Sequence, residues 1–536
     1  MTPTFHIRIP YDPALASAIK TVPGVSWNKE NKTWHFPCTE IFKVSRILKK
    51  FCPELSKELL KSPNFAKSRA IADSLQEKIE ASRASKSDLI IPCNEGQAYL
   101  AFQKAGIEFM ANTPTVLLAD EQGLGKTVQT VGLLNVRKYS NGLIICPASA
   151  LFVWYRHLKT WLTDKNIPVT IISNDWDYLS ELHEGFYIVS YNAVPKYYQM
   201  LTLYWDIVVL DEGHYIKNPK AKRTKACHIV SHAAKQKVVL TGTPILNKLD
   251  ELFYILNFLD SKRWSNHSLF MRNNSKNVGT QYKPIIVARN PSALQEELRG
   301  TVMLRRLKSE VYTELPAKRR QIIEIPISPR HRSILAREAP YMSKFRTLLD
   351  EMETKNEEDF RSVFRNRGEK FKFMQHVSAI RQETALAKLP DCLEFTDGLV
   401  ETTGKVVTWA HHKTIQQAIW EHYGDDCCPG EIGPGNKLAK SKRIDDFQTN
   451  PKKKVFDGSL ASDGVIITLT AAENAVFFEQ DWVAGVVIQA EDRIHRIGQK
   501  GSAMIYHVVL EKSMDYYLAN SLVRKMDLAD SVLDRK

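Results

Sequence analysis

The sequence predicts two consecutive α/β lobes, each a parallel sheet covered by helices, behind a small N-terminal α+β module. Three observations carry this. From Pro92 onward, short continuous apolar runs rich in β-branched residues alternate with helical stretches. Strands apolar along their whole length are buried on both faces, as in parallel sheets covered by helices. The alternation pauses from about 325 to 390, where the chain is charged and helical, and then resumes. The first fifty residues have a pattern and a charge balance of their own.

In that first stretch Phe5, Ile7 and Ile9 alternate with His6 and Arg8, the period of a half-buried strand. Asp12 and Pro13 supply an N-cap and a first-turn proline for a helix over Ala14–Lys20. Pro23-Gly24 makes a turn. Val25-Ser26-Trp27 and Trp34-His35-Phe36 flank the polar tip Asn28–Asn31, which reads as a hairpin. Thr39 caps a last helix reaching Lys50. The expected order is β-α-β-β-α over residues 1–52, with eight Lys+Arg against three Asp+Glu in the first fifty. Residues 53–91, rich in Lys, Glu, Ser and Ala, read as a helical tether.

Lobe one is expected over 92–325, with strands at Val116–Ala119, Leu143–Cys146, Tyr187–Val189, Ile207–Leu210 and Val238–Leu240. A helical connector follows over 326–390. Lobe two is expected over 391–536, with strands at Val406–Trp409, Val465–Leu469, Val476–Phe478 and Ile505–Leu510 and a C-terminal helix.

Composition bounds the function. With 536 residues and 43% apolar content the chain is globular rather than disordered. A net charge of +14 favours a polyanionic partner. Eight cysteines with no CxxC pair exclude a disulfide scaffold and give no zinc spacing. A reducing, intracellular compartment is the simpler expectation. No run approaches the roughly 18 apolar residues a membrane span needs, and Met1–Pro10 has no signal-peptide core.

Three motifs carry chemistry. Gly123-Leu124-Gly125-Lys126-Thr127 follows a strand and opens a helix. Backbone N–H groups there would cradle phosphates, Lys126 would reach the β- and γ-phosphates, and the Thr127 hydroxyl would bind magnesium. The strict phosphate-loop pattern wants glycine where this chain has Asp120. Asp211-Glu212 closes another apolar run, where Asp holds magnesium and Glu polarises the attacking water. Arg493 and Arg496 stand three apart in the second lobe, one helix face. They could meet phosphates across a cleft and stabilise charge on a transferring phosphoryl group. Taken alone, they read more simply as surface arginines paired with Glu491 or Asp492.

The order of these motifs resembles the Swi/Snf-type ATPases of helicase superfamily two over residues 92–520. Leu118–Thr127 resembles that family's motif I, in which Asp takes the place of Asp120. Phe102-Gln103 resembles its upstream adenine-reading glutamine element, and Cys146–Ser149 with Trp154 its motif Ia. Asp211–His214 resembles motif II, Leu240–Ile245 motif III, Thr468–Ala472 motif V and Gln489–Gln499 motif VI. Leu304–Lys308 and Leu315-Pro316 resemble the family's crossing between lobes. Two departures stand out: Ile466 where motif V has glycine, and Gly213 where motif II has alanine. Tyr11–Pro13, Trp27, Trp34 and Phe36 resemble the HARP element of annealing helicases.

The resemblance implies two RecA-like lobes, ATP and magnesium as cofactors, and duplex or forked DNA bound without sequence preference by a monomer. It implies catalytic roles for Lys126, Asp211, Glu212, Arg493 and Arg496. Gln103, Gly123, Gly125, Lys126 and Thr127 would bind nucleotide, with Thr127 and Asp211 as magnesium ligands. Ser149, Thr243, Thr470, Trp27 and Trp34 would contact DNA. The implied activity is ATP-driven translocation on double-stranded DNA that remodels forks or anneals strands. Alternatives are a strand-separating DNA or RNA helicase, or a displacer of proteins from DNA. The compact build suggests a bacterial nucleoid or a phage-infected cell.

Overall fold

The structure is a computed structural model that describes the chain except residues 1–3, 23, 173–182, 243–248, 278–285, 313, 315, 355–368, 431–436, 461–466 and 534–536. Thr243 and Ile466 therefore lie outside the described residues.

The N-terminal module follows the expected order. Thr33–Pro37 is the central strand of an antiparallel sheet, flanked by Thr4–Ile7 and Ser26–Asn28. Asp12 Oδ1 accepts the Leu15 N–H at 2.7 Å and caps helix Pro13–Lys20. Helix Ile41–Phe51 buries Ile41, Val44 and Leu48 against Phe5 and Phe36.

Residues 53–91 are helical over Pro53–Lys61 and Pro63–Arg83, as expected, but they dock rather than merely tether. Helix Pro63–Arg83 puts Phe65 and Ala72 into the module's core. Farther along, Leu75 and Ile79 meet Gly300, and Ser82 accepts hydrogen bonds from Arg299 in lobe one. These apolar positions recur at helical spacing within a polar composition, so average polarity concealed a stripe that docks.

Lobe one is built on a seven-stranded parallel sheet. Its strands run in the order Met303–Leu304, Thr115–Leu118, Gln236–Leu240, Ile207–Asp211, Gly142–Cys146, Phe186–Ser190, Val169–Ile172. Lobe two has a six-stranded parallel sheet in the order Lys318–Ile325, Ala503–Leu510, Asn474–Phe477, Val406–Ala410, Val455–Ser459, Cys427–Pro429. Helices cover both, giving two RecA-like lobes. Among the described residues no helix is long and apolar enough to cross a membrane.

Several expectations change. Lys318–Ile325, placed at the end of lobe one, is an edge strand of the second sheet. Its opening run of three cations hid it: Lys318 and Arg320 face carboxylates of lobe two rather than solvent. Helices Arg332–Thr354 and Glu369–Thr403, read as a connector, bury Phe345, Val377 and Ile380 in the second lobe's core. Of the expected strand Val465–Leu469, Val465 and Ile466 lie outside the described residues and Ile467–Leu469 is not a strand. The strand is Val455–Ser459, interrupted by Asp457, whose buried carboxylate accepts the Thr408 hydroxyl at 2.9 Å. A buried polar residue with one partner in the next strand breaks an apolar run that sequence reading relies on.

Candidate active site between the two lobes

The site begins where strand Thr115–Leu118 ends. Gly123 and Gly125 have φ of +89° and +73°, which L side chains rarely adopt, so the loop needs glycine at both positions. Gly125 caps helix Lys126–Arg137, leaving that helix's first N–H groups pointing into the cleft. Lys126 Nζ donates to the carbonyls of Asp120 at 2.8 Å and Glu121 at 3.3 Å. Burial holds its ammonium below the ordinary lysine value, against the pull of Glu212, Asp120 and Asp211, with Arg496 adding repulsion.

Asp120, the residue that broke the strict phosphate-loop pattern, has a structural partner. It and Arg306 are completely buried and paired at 2.6 Å. Arg306 also donates to Gln129 Oε1 at 2.9 Å and to the Phe102 carbonyl. The pair staples the phosphate loop to the segment leaving lobe one. Breaking a buried pair leaves an uncompensated charge, so Arg306→Met is expected to destabilise the chain by about 3–5 kcal/mol. A lower urea midpoint would register this; an unchanged midpoint would show that Asp120 needs no cation.

Asp211 ends strand Ile207–Asp211. Its Oδ2 accepts the Trp154 indole N–H at 2.8 Å, and its carbonyl accepts the Tyr191 hydroxyl at 2.9 Å. Burial, then the neighbouring Glu212 charge, push its carboxyl up to about 6. Glu212 has φ +53°, a strained backbone for a non-glycine residue. Burial would raise its carboxyl, but His214, Lys126 and Arg493 outweigh that and hold it below the usual range. Its Oε2 lies 3.4 Å from His214 Nδ1. At Gly213 a Cβ would fall 2.2 Å from Val239 Cγ1, so the departure from alanine is matched by a packed valine methyl.

Lobe two brings its arginines to this point. A Cβ at Gly123 would sit 3.2 Å from Arg496 Cγ. Arg496 Nη1 donates to the Thr468 hydroxyl at 3.1 Å and the Ile467 carbonyl at 3.3 Å. Burial, the Arg496 charge beside it and the opposing pull of Asp492, Glu212 and Asp211 leave Arg493 lowered to about 10. The two carboxylates beside the arginines also meet cations from elsewhere in the chain. Lys318 and Arg320 meet Glu491 at 3.1 and 2.8 Å, and Lys308 and Lys318 both meet Asp492 at 3.1 Å. A cavity of about 130 Å³ opens beside Arg496 between the lobes, and Arg156 bridges to Asp445 across it at 3.0 Å.

The structure thus gathers Gly123, Gly125, Lys126, Asp211, Glu212, Arg493 and Arg496 around one cleft. Thr127 follows Lys126 at the helix start, half-buried. No group of three or more His, Cys, Asp or Glu among the described residues could hold a metal alone. A hard cation sharing one carboxylate and one hydroxyl with substrate phosphates suits that donor set, and magnesium is bound that way. Gln103 stands behind the loop. Its amide accepts the Leu100 N–H at 3.0 Å and donates to the Leu124 carbonyl at 3.4 Å, which fixes the loop's back wall.

The expected DNA-facing residues are more scattered. Ser149 is exposed just beyond strand Gly142–Cys146. Thr470 is half-buried and accepts from Gln448 at 3.4 Å. Trp34 lies opposite Ile7 at the edge of the module's core, and Trp27, 44% exposed, packs its ring 5.1 Å from Trp34. Lys308 and Arg306 were read only as part of a crossing segment, although three cations within four residues there signalled a charged function.

A family model described as the SNF2-related domain matches residues 102–381. A Xenopus tropicalis protein, the SWI/SNF-related matrix-associated actin-dependent regulator of chromatin subfamily A-like protein 1, is 27% identical over 96% of this chain and 53% of its own length. The human DNA annealing helicase and endonuclease ZRANB3 is 28% identical over 81% of this chain and 40% of its length. The chain spans about half the length of the curated relatives it matches. Among solved structures, the Sulfolobus solfataricus SWI2/SNF2 ATPase core in complex with dsDNA is 22% identical with TM-score 0.40, covering 82% of this chain and 94% of that one. These curated relatives are animal proteins, several of them named as regulators of chromatin. This overturns the expected bacterial nucleoid or phage-infected cell: a compact core is common to the family and carries no information about the host.

Proposed function

Because the chain belongs to the SNF2-related family, whose model matches residues 102–381, we propose that it hydrolyses ATP to move along double-stranded DNA, remodelling forks or annealing strands. The single observation that carries this is the placement of Arg493 and Arg496, from lobe two, against the phosphate loop and Asp211-Glu212 of lobe one. Lobe one holds the nucleotide through the loop amides and Lys126. Thr127 and Asp211 would hold magnesium, which supplies positive charge to the phosphate oxygens. Glu212, kept ionised by its cationic neighbours, orients and deprotonates the attacking water. Arg493 and Arg496 stabilise charge building on the transferred group. Neither lobe holds the whole set, so turnover requires closure.

Lobe closure shifts whatever backbone grips Ser149, Thr243 and Thr470 provide on the duplex. Contacts to phosphate make binding independent of sequence and weaker at high salt. We place the crossing between lobes near 305–318, with the module over 1–52 and its strut over 53–91. The deciding experiment compares ATP turnover with single-stranded DNA, duplex DNA, forked DNA and RNA, and adds triplex displacement and strand unwinding. Duplex stimulation and displacement without unwinding support translocation. Unwinding would select a strand-separating helicase instead, and no stimulation by any nucleic acid would remove both readings.

The module tests separately. Removing residues 1–52 would bare the face of helix Pro63–Arg83 that Phe65 and Ala72 occupy, so a point change is cleaner. Trp27→Ala is expected to weaken binding to forked DNA by roughly 1–3 kcal/mol if the ring stacks on a base. Duplex-stimulated turnover should stay as it is. An unaltered preference for forks over duplex would make the module a structural appendage.

A further inference from the structure

Lys308 has its backbone in one lobe and its ammonium in the other. It follows strand Met303–Leu304, the edge of the first sheet, and opens the one-turn helix Lys308–Val311. Its backbone N–H donates to Glu121 Oε2 at 2.7 Å, on the phosphate loop. The residues before it are anchored the same way: Arg305 donates to the Ala119 carbonyl at 3.1 Å, and Arg306 pairs with Asp120. The side chain runs the opposite way. Nζ lies 3.1 Å from Asp492 Oδ1 and 3.1 Å from the His495 carbonyl, with Glu121 Oε1 at 3.6 Å. Lys308 is 5% exposed and Asp492 4%. Asp492 immediately precedes Arg493, and His495 immediately precedes Arg496.

The two neighbouring cations do not do this. Lys318 and Arg320 belong to the second sheet, so their pairs with Glu491 and Asp492 stay inside lobe two. Burial would raise the Asp492 carboxyl, yet Lys308 and Lys318 outweigh it and hold it at about 2. The carboxylate is therefore a charged anchor at working pH. A 1 Å error in the placement of a catalytic group can cost about 10²-fold in rate.

We propose that Lys308 is a positioning residue that sets the register of Arg493 and Arg496 over the phosphate loop. When the lobes close it holds the Asp492 carboxylate and the His495 carbonyl, each one residue before an arginine. This rests on the ATPase reading above. Its ammonium lies 3.5 Å from where a Cβ at Gly123 would sit, so a direct phosphate contact is the competing role, and nucleotide affinity separates the two.

The test uses the full chain with saturating duplex DNA, and measures steady-state turnover beside equilibrium binding of a fluorescent ATP analogue. Lys318 still pairs with Asp492 in Lys308→Met, so the variant keeps a partner for that carboxylate. Lys308→Met is expected to lower kcat by roughly 10²-fold with analogue affinity unchanged, and Lys308→Arg to restore most of it. Wild-type kcat in Lys308→Met overturns the proposal. So does a loss of analogue affinity that matches the loss of rate, which would make Lys308 a phosphate ligand. A wild-type chain that turns over no ATP under any DNA condition overturns the ATPase reading itself, and this proposal with it.

Discussion

Glu212→Gln is expected to lower ATP turnover by roughly 10²–10⁴-fold while nucleotide still binds. The substitution keeps volume and hydrogen-bonding reach and removes the negative charge. That charge is what the site maintains. A buried carboxylate ordinarily drifts toward its protonated form, and the adjacent Asp211 shows this by rising to about 6. Glu212 moves the other way, because His214, Lys126 and Arg493 surround it. Phosphate release should fall to near background, with equilibrium nucleotide binding intact. Near-normal turnover would pass the role of base to another group and leave Glu212 as a member of the ion network.

Arg496→Ala is expected to reduce turnover by about 10³–10⁵-fold, the range for loss of an arginine that stabilises phosphoryl-transfer charge. The geometry sets its share of the effect. Its aliphatic stem lies against Gly123, and its Nη1 is steadied by Thr468 and the Ile467 carbonyl. The guanidinium is therefore delivered rigidly, with little entropy left to lose at the moment of reaction. Ground-state binding of ATP should change little, since the phosphate loop and Lys126 belong to lobe one. Single-turnover rates, measured beside analogue affinity, separate the two. A variant that binds ATP weakly but turns over normally once saturated would make Arg496 a binding residue only.

Much of the site was legible because it is local. Gly123 and Gly125 are demanded by backbone angles within one turn, and the strand before them and the helix after them are written in adjacent runs. The same holds for Asp211 at the end of its apolar strand. The β-α-β-β-α order of the module was readable for the same reason: the Asp12 cap, the Pro13 helix start and the alternation of Phe5 with Ile7 are short-range signals. Reading failed where a partner far along the chain changed a residue's meaning. Lys318–Ile325 looks like a charged surface stretch until Glu491 and Asp492 stand opposite its cations. Helix Pro63–Arg83 looks like a polar linker until Gly300 and Arg299 receive its buried side.

The amino-acid order alone thus specified the strands, the glycine turn and the chemical identity of the groups that handle phosphate. Each follows from dihedral preference, hydrophobic period or capping within a dozen residues. Only the folded chain decided which charges neutralise one another. Asp120 could have been a phosphate-loop irregularity, and became the buried partner of Arg306. Glu491 and Asp492, beside the arginines in sequence, acquired Lys308, Lys318 and Arg320 as partners from elsewhere in the chain. Coulomb attraction depends on distance in space and on burial, and neither is a function of distance along the sequence.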